Sequence, residues 1–211
     1  MTKVKICGIT NLADARFASG AGAEYLGFIQ HESSPRYISP DLAKDIISWV
    51  YGAHPVGVFV DKPADEVNSI CEKAGFSFAQ LHGSESAAYC EWIDRPIIKA
   101  IPVTPDSTAE SLQQAMNVYA HVAEFLLLDT ASATSFGGSG KAFDWSILAG
   151  IQAPLPLFLA GGLNVQNVAA AISSCSPYAV DVASGVEESP GKKDYVQIDA
   201  FMQAVLNGVA R

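Results

Sequence analysis

The chain is short of several features that would assign it to common functional classes. Charged residues make up 17% of its 211 residues, and 13 Lys and Arg face 22 Asp and Glu. The resulting net charge of −9 argues against a nucleic-acid partner or an anionic membrane, both of which are bound by basic surfaces. No apolar run approaches the roughly 20 residues of a membrane-spanning helix. We therefore expect no nucleic-acid partner and no membrane partner.

Cysteine and histidine patterns typical of metal or redox sites are also missing. The four cysteines, Cys7, Cys71, Cys90 and Cys175, include no CxxC pair, so neither a zinc site nor a redox couple is indicated. The four histidines show no spacing typical of metal ligands. No apolar signal-peptide segment follows Met1. We expect reduced thiols in a cytoplasmic protein, with no metal and no cofactor.

What the chain does have is a repeating alternation of short apolar runs and helical patterns. The runs are rich in residues typical of buried parallel strands and occupy 4–7, 25–29, 56–60, 78–81, 97–101, 125–129, 157–160 and 179–183. Eight alternations favour a closed barrel, whereas a flavodoxin-like open sheet needs only about five strands. The sequence predicts an α/β fold of the (β/α)8 TIM-barrel type, with residues 1–211 as a single domain.

Polar residues interrupt the face of these strands that would point into the barrel. Because side chains alternate along a strand, the inward positions include Lys5, Cys7, Gln80, His82, Asp129 and Asp181. Charges are almost never buried unless they are paired. The first and eighth strands are neighbours in a closed barrel, so we predict that Lys5 and Asp181 form an ion pair.

Two of these residues are suited to proton transfer, because barrel enzymes place their chemistry at the C-terminal ends of the strands. Cys7 ends the first strand and is a candidate general base, with electropositive help expected from nearby helix N-termini; packing as a small hydrophobe is the alternative. Asp129 follows four apolar residues and is a candidate general acid. Its alternative role is to cap the loop that follows.

Substrate-binding groups are expected on the same rim of the barrel. Arg36, after the second strand, suits a planar carboxylate, although a solvated surface arginine is the alternative. His82 could orient the substrate or be purely structural. Glycine-rich turns follow strands seven and eight, where barrels often bind phosphate through backbone N–H groups; the candidate phosphate-binding residues are Gly161, Gly162, Ser184 and Gly185. The glycine-rich segment 137–141 is interpreted as a loop over this site.

Local signals predict where several helices begin. Side chains of the type that caps helix N-termini precede four of the helical patterns: Asn11, Asp41, Asp144 and Asn164. Further helical patterns include one at 85–92.

The motifs together resemble the phosphoribosylanthranilate isomerase family over nearly the whole chain. The resemblance rests on Lys5-Ile6-Cys7-Gly8-Ile9-Thr10, Ser34-Pro35-Arg36-Tyr37, Gln80-Leu81-His82-Gly83, Leu128-Asp129, Gly161-Gly162-Leu163-Asn164, and Asp181-Val182-Ala183-Ser184-Gly185-Val186-Glu187 with Pro190-Gly191 and Lys193-Asp194. Aromatic residues usual in the family are missing near Gln30 and His31, which puts the lining of the anthranilate pocket in question.

The resemblance implies an aldose–ketose isomerase of tryptophan biosynthesis. The implied reaction is the Amadori rearrangement of N-(5-phosphoribosyl)anthranilate to 1-(2-carboxyphenylamino)-1-deoxyribulose 5-phosphate, by a cofactor-independent monomer or homodimer. Cys7 would be the base, Asp129 the acid and Arg36 the anthranilate-carboxylate ligand, with His82 and Asp181 contacting substrate. Two alternatives remain open: a related histidine-pathway isomerase, and a barrel that only binds a phosphorylated ligand.

Overall fold

Eight short parallel strands form a closed ring in the computed structural model, which describes residues 1–130 and 143–209. The strands are β1 (Lys3–Cys7), β2 (Tyr25–Ile29), β3 (His54–Phe59), β4 (Phe78–Leu81), β5 (Ile97–Val103), β6 (Phe125–Thr130), β7 (Leu157–Leu159) and β8 (Ala179–Val182). Each strand pairs with the next, and β1 closes the ring by pairing with β8. The predicted (β/α)8 barrel is confirmed.

Helices connect the strands and cover the outside of the ring. They are α1 (Leu12–Gly20), α2 (Pro40–Ile47), α3 (Ala64–Ala74), α4 (Ala87–Cys90), α5 (Ala109–Val118), α6 (Val168–Cys175) and α7 (Tyr195–Val209), with 3-10 turns at Trp145–Leu148 and Ser184–Val186. Alternate strand residues such as Val4 and Ile6 pack outward against buried helical alanines, including Ala15 and Ala18. Burial of this apolar layer fixes the ring of helices around the strands.

The inside of the barrel changes character along its axis. Its N-terminal half is filled by aromatic rings that meet mainly edge-on, with Tyr25 and Phe158 centroids 5.2 Å apart and Phe125 and Phe158 centroids 5.3 Å apart. Such packing closes this end of the barrel. The next inward layer contains Lys5 and Gln80, both buried. The polar groups are therefore gathered toward the C-terminal mouth.

Helix starts follow the predicted caps in part. Asn11 accepts a hydrogen bond from the Asp14 amide at 2.9 Å, and Asp144 accepts one from the Ser146 amide at 3.0 Å. Asp41 was wrong as a cap. Ser39 takes that position in front of Pro40, whose fixed φ suits the first helical residue. Asp41 instead lies in the first turn of α2.

Two connections differ more clearly from the sequence prediction. The helix predicted at 85–92 is the single turn α4, and Glu85, ahead of this turn, forms a buried ion pair with Lys99. Asn164 accepts from the Gln166 amide in a turn, but α6 begins only at Val168. After β8, a small antiparallel hairpin forms from β9 (Glu187–Ser189) and β10 (Lys192–Lys193).

Candidate active site

A cavity of about 590 Å³ opens at the C-terminal ends of the strands. Its walls come from most of the strand ends and from the loops after β2, β7 and β8. Most of the predicted site residues line it, namely Cys7, Arg36, His82, Asp129, Gly161, Gly162, Asp181 and Ser184. The structure thus brings together residues that are up to 177 positions apart in the sequence.

Cys7 lies at the end of β1 opposite Gly27 of β2. It is only 7% exposed. A Cβ atom at Gly27 would stand 2.6 Å from the Cys7 Sγ atom and 3.1 Å from the Lys5 Nζ atom. Glycine at this position therefore makes the space in which the thiol and the ammonium group approach each other.

Burial raises the pKa of the Cys7 thiol above its ordinary value. The positive charges of Lys5 and Lys193 oppose this effect, whereas the nearby Asp181 carboxylate adds to it. Two buried ammonium groups thus supply electropositive help to the thiol, in addition to the helix N-termini suggested from the sequence. Without substrate, the thiol form is favoured at neutral pH.

Lys5 and Asp181 form the predicted ion pair across the β1–β8 junction. The Lys5 Nζ atom lies 2.7 Å from Asp181 Oδ2. Burial disfavours the Lys5 ammonium, but the attraction of Asp181 and Cys7 outweighs it and raises the lysine pKa. Asp181 Oδ1 is buried without a hydrogen-bond partner among the described residues and belongs to the cavity wall. This oxygen is therefore an acceptor beside the cavity whose hydrogen-bonding capacity the described residues do not use.

Asp129 is held in a short polar chain at the mouth. Its Oδ2 atom lies 3.1 Å from His82 Nε2, and His82 Nδ1 lies 2.8 Å from Gln80 Nε2. An amide nitrogen donates and does not accept, so His82 Nδ1 accepts and its proton sits on Nε2. His82 accordingly donates to Asp129 through Nε2. The Asp129 side chain lines the cavity, and the loop of the capping alternative lies outside the described residues.

Arg36 is not a solvated surface residue. Its side chain is 13% exposed and forms a two-pronged contact with Glu187, whose Oε2 atom lies 2.7 Å from Arg36 Nη2. Glu187 also accepts from Lys193 Nζ at 2.8 Å. The hydrogen bonds that Arg36 donates to Glu187 raise the pKa of Arg36, although burial opposes this. Arg36 is therefore a fixed cation at the cavity rim.

The sequence reasoning assigned no role to Lys193. Its Nζ atom donates to the backbone carbonyls of Cys7 and Ala183 as well as to Glu187. Burial lowers the pKa of this lysine, and the attraction of Glu187 opposes that shift. The one available signal was the lysine's place in the family motif after β8. Its contact with Cys7 spans 186 positions.

The glycine turns after β7 and β8 serve two different purposes. Gly161 and Gly162 have φ values of +88° and +64°, which favour glycine, and their N–H groups have no acceptor within residues 1–130 and 143–209. They are suited to hold an anion. Gly185 does not line the cavity; a Cβ there would stand 2.0 Å from the Leu163 carbonyl oxygen, so its role is to let the two loops pack closely.

The neighbouring loops differ in what they contribute. His31 lines the cavity, whereas Gln30 is buried and donates to the Ile38 carbonyl at 3.2 Å. A buried Lys99–Glu85 pair at 2.8 Å anchors the loop after His82, because both side chains bond to the Gly83 backbone. The segment 137–141, interpreted as a loop over the site, lies outside the described residues.

Two kinds of feature are missing from the parts of the chain that the structure describes. Residues 1–130 and 143–209 hold no cluster of three or more His, Cys, Asp or Glu side chains placed to bind a metal ion. The helices within the same ranges are too short or too polar to cross a membrane.

Comparison with known proteins decides the family. The family model for N-(5′-phosphoribosyl)anthranilate (PRA) isomerase matches residues 4–204. The chain belongs to the phosphoribosylanthranilate isomerase family. An N-(5′-phosphoribosyl)anthranilate isomerase from Pelobacter propionicus is 45% identical over 204 residues, covering 96% of this chain and 95% of that protein. The resemblance seen in the sequence is confirmed, and the chain is an isomerase.

Solved structures of the phosphoribosylanthranilate isomerase family share the same barrel. The crystal structure from Thermotoga maritima superposes with a TM-score of 0.88 at 38% identity, covering 98% of this chain and 99% of that chain. A second one, at 38% identity and a TM-score of 0.85 over 98% and 99% of the chains, contains reduced 1-(o-carboxyphenylamino)-1-deoxyribulose 5-phosphate. A hexulose-6-phosphate synthase from Salmonella typhimurium, at 12% identity and a TM-score of 0.72, shares the fold alone.

Proposed function

We propose that Cys7 and Asp129 carry out the family's reaction in this chain, the Amadori rearrangement of N-(5′-phosphoribosyl)anthranilate to 1-(2-carboxyphenylamino)-1-deoxyribulose 5-phosphate. The observation that carries the proposal is the meeting of a thiol, a carboxyl group and a fixed guanidinium group in one cavity. Such a set supplies a base, an acid and an anion ligand.

The first step in this proposal opens the sugar ring. Asp129 gives its proton to the furanose ring oxygen while the bond between that oxygen and C1 breaks. The anthranilate nitrogen donates its lone pair to C1, and the result is a protonated Schiff base. His82 orients the Asp129 carboxyl group through its bond to Oδ2, which leaves Oδ1 to face the ring oxygen.

The second step moves a proton from carbon. The Cys7 thiolate removes the proton at C2, the C–H electrons form a C1–C2 double bond, and the electrons of the C–N double bond return to nitrogen. The enolamine then loses its O2 proton and gains a proton at C1, which gives the ketone. Lys5 and Lys193 favour the thiolate form that starts this step.

The two ends of the substrate are bound by different loops. Arg36 takes the anthranilate carboxylate in a charge-assisted contact, and Asp181 Oδ1 accepts from a sugar hydroxyl. The phosphate is held by the N–H groups of Gly161, Gly162 and Ser184, as is common after strands seven and eight of such barrels. Gly185 supports this site by loop packing. We also propose that the protein is cytoplasmic and that it is a monomer or a homodimer. Light scattering of the purified chain tests the oligomeric state.

The test is conversion of freshly generated phosphoribosylanthranilate by the purified chain. Loss of anthranilate fluorescence is followed above the rate of spontaneous hydrolysis, and the product is identified by mass and chromatography. Rapid loss with carboxyphenylamino-deoxyribulose phosphate as product supports the proposal. A rate equal to the background, with ligand binding retained, would favour a barrel that only binds.

A further inference from the structure

Glu187 is the most heavily hydrogen-bonded carboxylate at the mouth among the described residues, yet the reaction above gives it no step. Its side chain is 3% exposed. It accepts from Arg36 Nε and Nη2, from Lys193 Nζ at 2.8 Å and from the Gly191 amide at 3.3 Å. Both oxygens are engaged by the protein, so this carboxylate is a fixed element of the site.

Arg36 has one edge occupied and one edge open. A guanidinium group offers carboxylates a side edge, Nε with Nη2, and an end edge, Nη1 with Nη2. Glu187 covers the side edge, with Nε 3.0 Å from both carboxylate oxygens. Nη1 has no acceptor within residues 1–130 and 143–209. The end edge is therefore the one that remains for a substrate carboxylate.

The aliphatic part of the Arg36 side chain and the hairpin that carries Glu187 are also fixed in position. A Cβ at Gly8 would stand 2.7 Å from Arg36 Cδ, so the arginine stem lies directly over the β1 turn. The β9–β10 hairpin that carries Glu187 is tied to α1, because the Lys193 amide donates to Asp14 Oδ2 at 2.9 Å. Thr10 Oγ1 donates to the Gly191 carbonyl at 2.5 Å. These hydrogen bonds fix the position of the β9–β10 hairpin and therefore of Glu187.

The charges of Arg36, Lys193 and Glu187 also indicate that this part of the site binds an anion. Arg36 and Lys193 bring two positive charges, and Glu187 brings one negative charge. The attraction of both cations keeps the pKa of Glu187 below its ordinary value, against the effect of burial. While Cys7 is in its neutral thiol form, one positive charge of this group is left over, and it matches one ligand carboxylate.

We propose that Glu187 is a positioning residue that sets carboxylate specificity: it holds the side edge of Arg36 and turns the end edge toward the ring carboxylate of the substrate. The inference rests on the proposed function, in which Arg36 binds that carboxylate. Glu187 itself does not touch the reacting atoms. Its removal therefore affects ligands with the ring carboxylate far more than ligands without it.

The experiment compares two ligands by binding, independently of turnover. One is reduced 1-(o-carboxyphenylamino)-1-deoxyribulose 5-phosphate, and the other is the same compound without the ring carboxylate. The variant is Glu187→Gln, which keeps the size but loses the charge. The matched control is Glu188→Gln, whose partner Lys192 is an exposed i,i+4 neighbour.

We expect the wild type and Glu188→Gln to prefer the carboxylated ligand by about tenfold or more, as a charge-assisted hydrogen bond allows. In Glu187→Gln we expect the preference for the carboxylated ligand to fall at least about fivefold. The affinity for the ligand without the ring carboxylate should change less than about twofold. Arg36→Met loses the preference too, and adding Glu187→Gln to it changes nothing further, because the two residues act as one unit.

Other outcomes overturn the inference. If Glu187→Gln weakens both ligands equally, or its effect adds fully to that of Arg36→Met, Glu187 has only a structural role. Should Glu187→Gln fail to fold, Glu187→Asp must show a reduced preference, and full preference there also refutes the inference. If the wild type binds both ligands equally well, the assignment of Arg36 as the carboxylate ligand is refuted as well. If the wild type prefers the carboxylated ligand but does not convert phosphoribosylanthranilate, only the proposed catalysis is refuted.

Discussion

His82 Nε2 donates to Asp129 Oδ2 over 3.1 Å. The Gln80 amide nitrogen on the other side of the ring, 2.8 Å from Nδ1, fixes which nitrogen carries the proton. One oxygen of Asp129 is thereby held by His82, and in the proposed mechanism the other faces the ring oxygen of the substrate. The acid is positioned by two side chains, that of Gln80 in β4 and that of His82 just after this strand.

Replacement of Asp129 tests the acid. Asp129→Asn keeps the shape of the side chain but has no acidic proton to give to the ring oxygen. We expect turnover to fall by about 10²- to 10⁴-fold, with a circular dichroism spectrum and unfolding temperature close to those of the wild type. Asp106→Asn, at an exposed position, is the control and should keep full activity. Near-normal turnover in Asp129→Asn would refute the role of this residue.

The pH dependence of kcat/KM tests the electrostatic role of Lys193. Its positive charge lowers the pKa of the Cys7 thiol against the larger effect of burial. In Lys193→Met the thiol pKa rises further, so the thiolate forms only at higher pH. The ascending limb of kcat/KM should move to higher pH. Lys192→Met, which removes an exposed neighbouring lysine, should leave the limb in place, and an unmoved limb in Lys193→Met would contradict the account.

Most of the architecture could be predicted from the sequence, because buried parallel strands leave a strong local signal. The Lys5–Asp181 pair followed from strand alternation and from the closure of the ring, and its 2.7 Å contact confirms that reasoning. Cys7 and Asp129 were found because they interrupt or end apolar runs. In each case a regular element carries the residue, and its period gives the direction of the side chain.

The contacts of Arg36 could not be predicted in the same way. Glu187 lies 151 positions away, on a hairpin that follows β8. Neither residue sits on a strand of the barrel, so no periodicity relates them. The ion pair of Glu85 with Lys99, just ahead of the short α4, is likewise a long-range contact that a local helical pattern does not reveal. Nonlocal ion pairs in which at least one partner lies outside the barrel strands were the main part that could not be predicted from the sequence.

The buried Lys5–Asp181 pair should be costly to break. Lys5→Met leaves the Asp181 carboxylate buried without its counterion, and we expect a loss of about 3–5 kcal/mol in the free energy of unfolding. The raised pKa of Lys5 means that its contribution is present below the ordinary lysine range and fades as pH rises through the pKa of the folded state. The double variant Lys5→Met with Asp181→Leu removes both charges and should recover part of the loss in denaturant unfolding.

If the double variant were as unstable as Lys5→Met, the uncompensated charge of Asp181 would not be the cause. Imperfect packing around the shorter methionine side chain would then be the better explanation.

Gly27 tests the close approach between β1 and β2. In Gly27→Ala the new Cβ would stand 2.6 Å from the Cys7 Sγ atom, so the thiol or the strand must shift. We expect a stability loss of about 1–3 kcal/mol from overpacking and a fall in kcat that exceeds the change in KM. Gly20→Ala, with open space around it, is the control. Unchanged kcat in Gly27→Ala would show that the position of the thiol is not critical.

The most direct test of the whole account is the turnover of Cys7→Ala with phosphoribosylanthranilate, measured beside the wild type and beside Cys71→Ala, a cysteine buried away from the cavity. Binding of the reduced product analogue is measured in all three proteins. The account predicts that Cys7→Ala loses about 10²- to 10⁴-fold or more in kcat while it still binds the analogue, and that Cys71→Ala stays active. A Cys7→Ala protein that turns over at a near-normal rate would contradict the assignment of the thiol as the base.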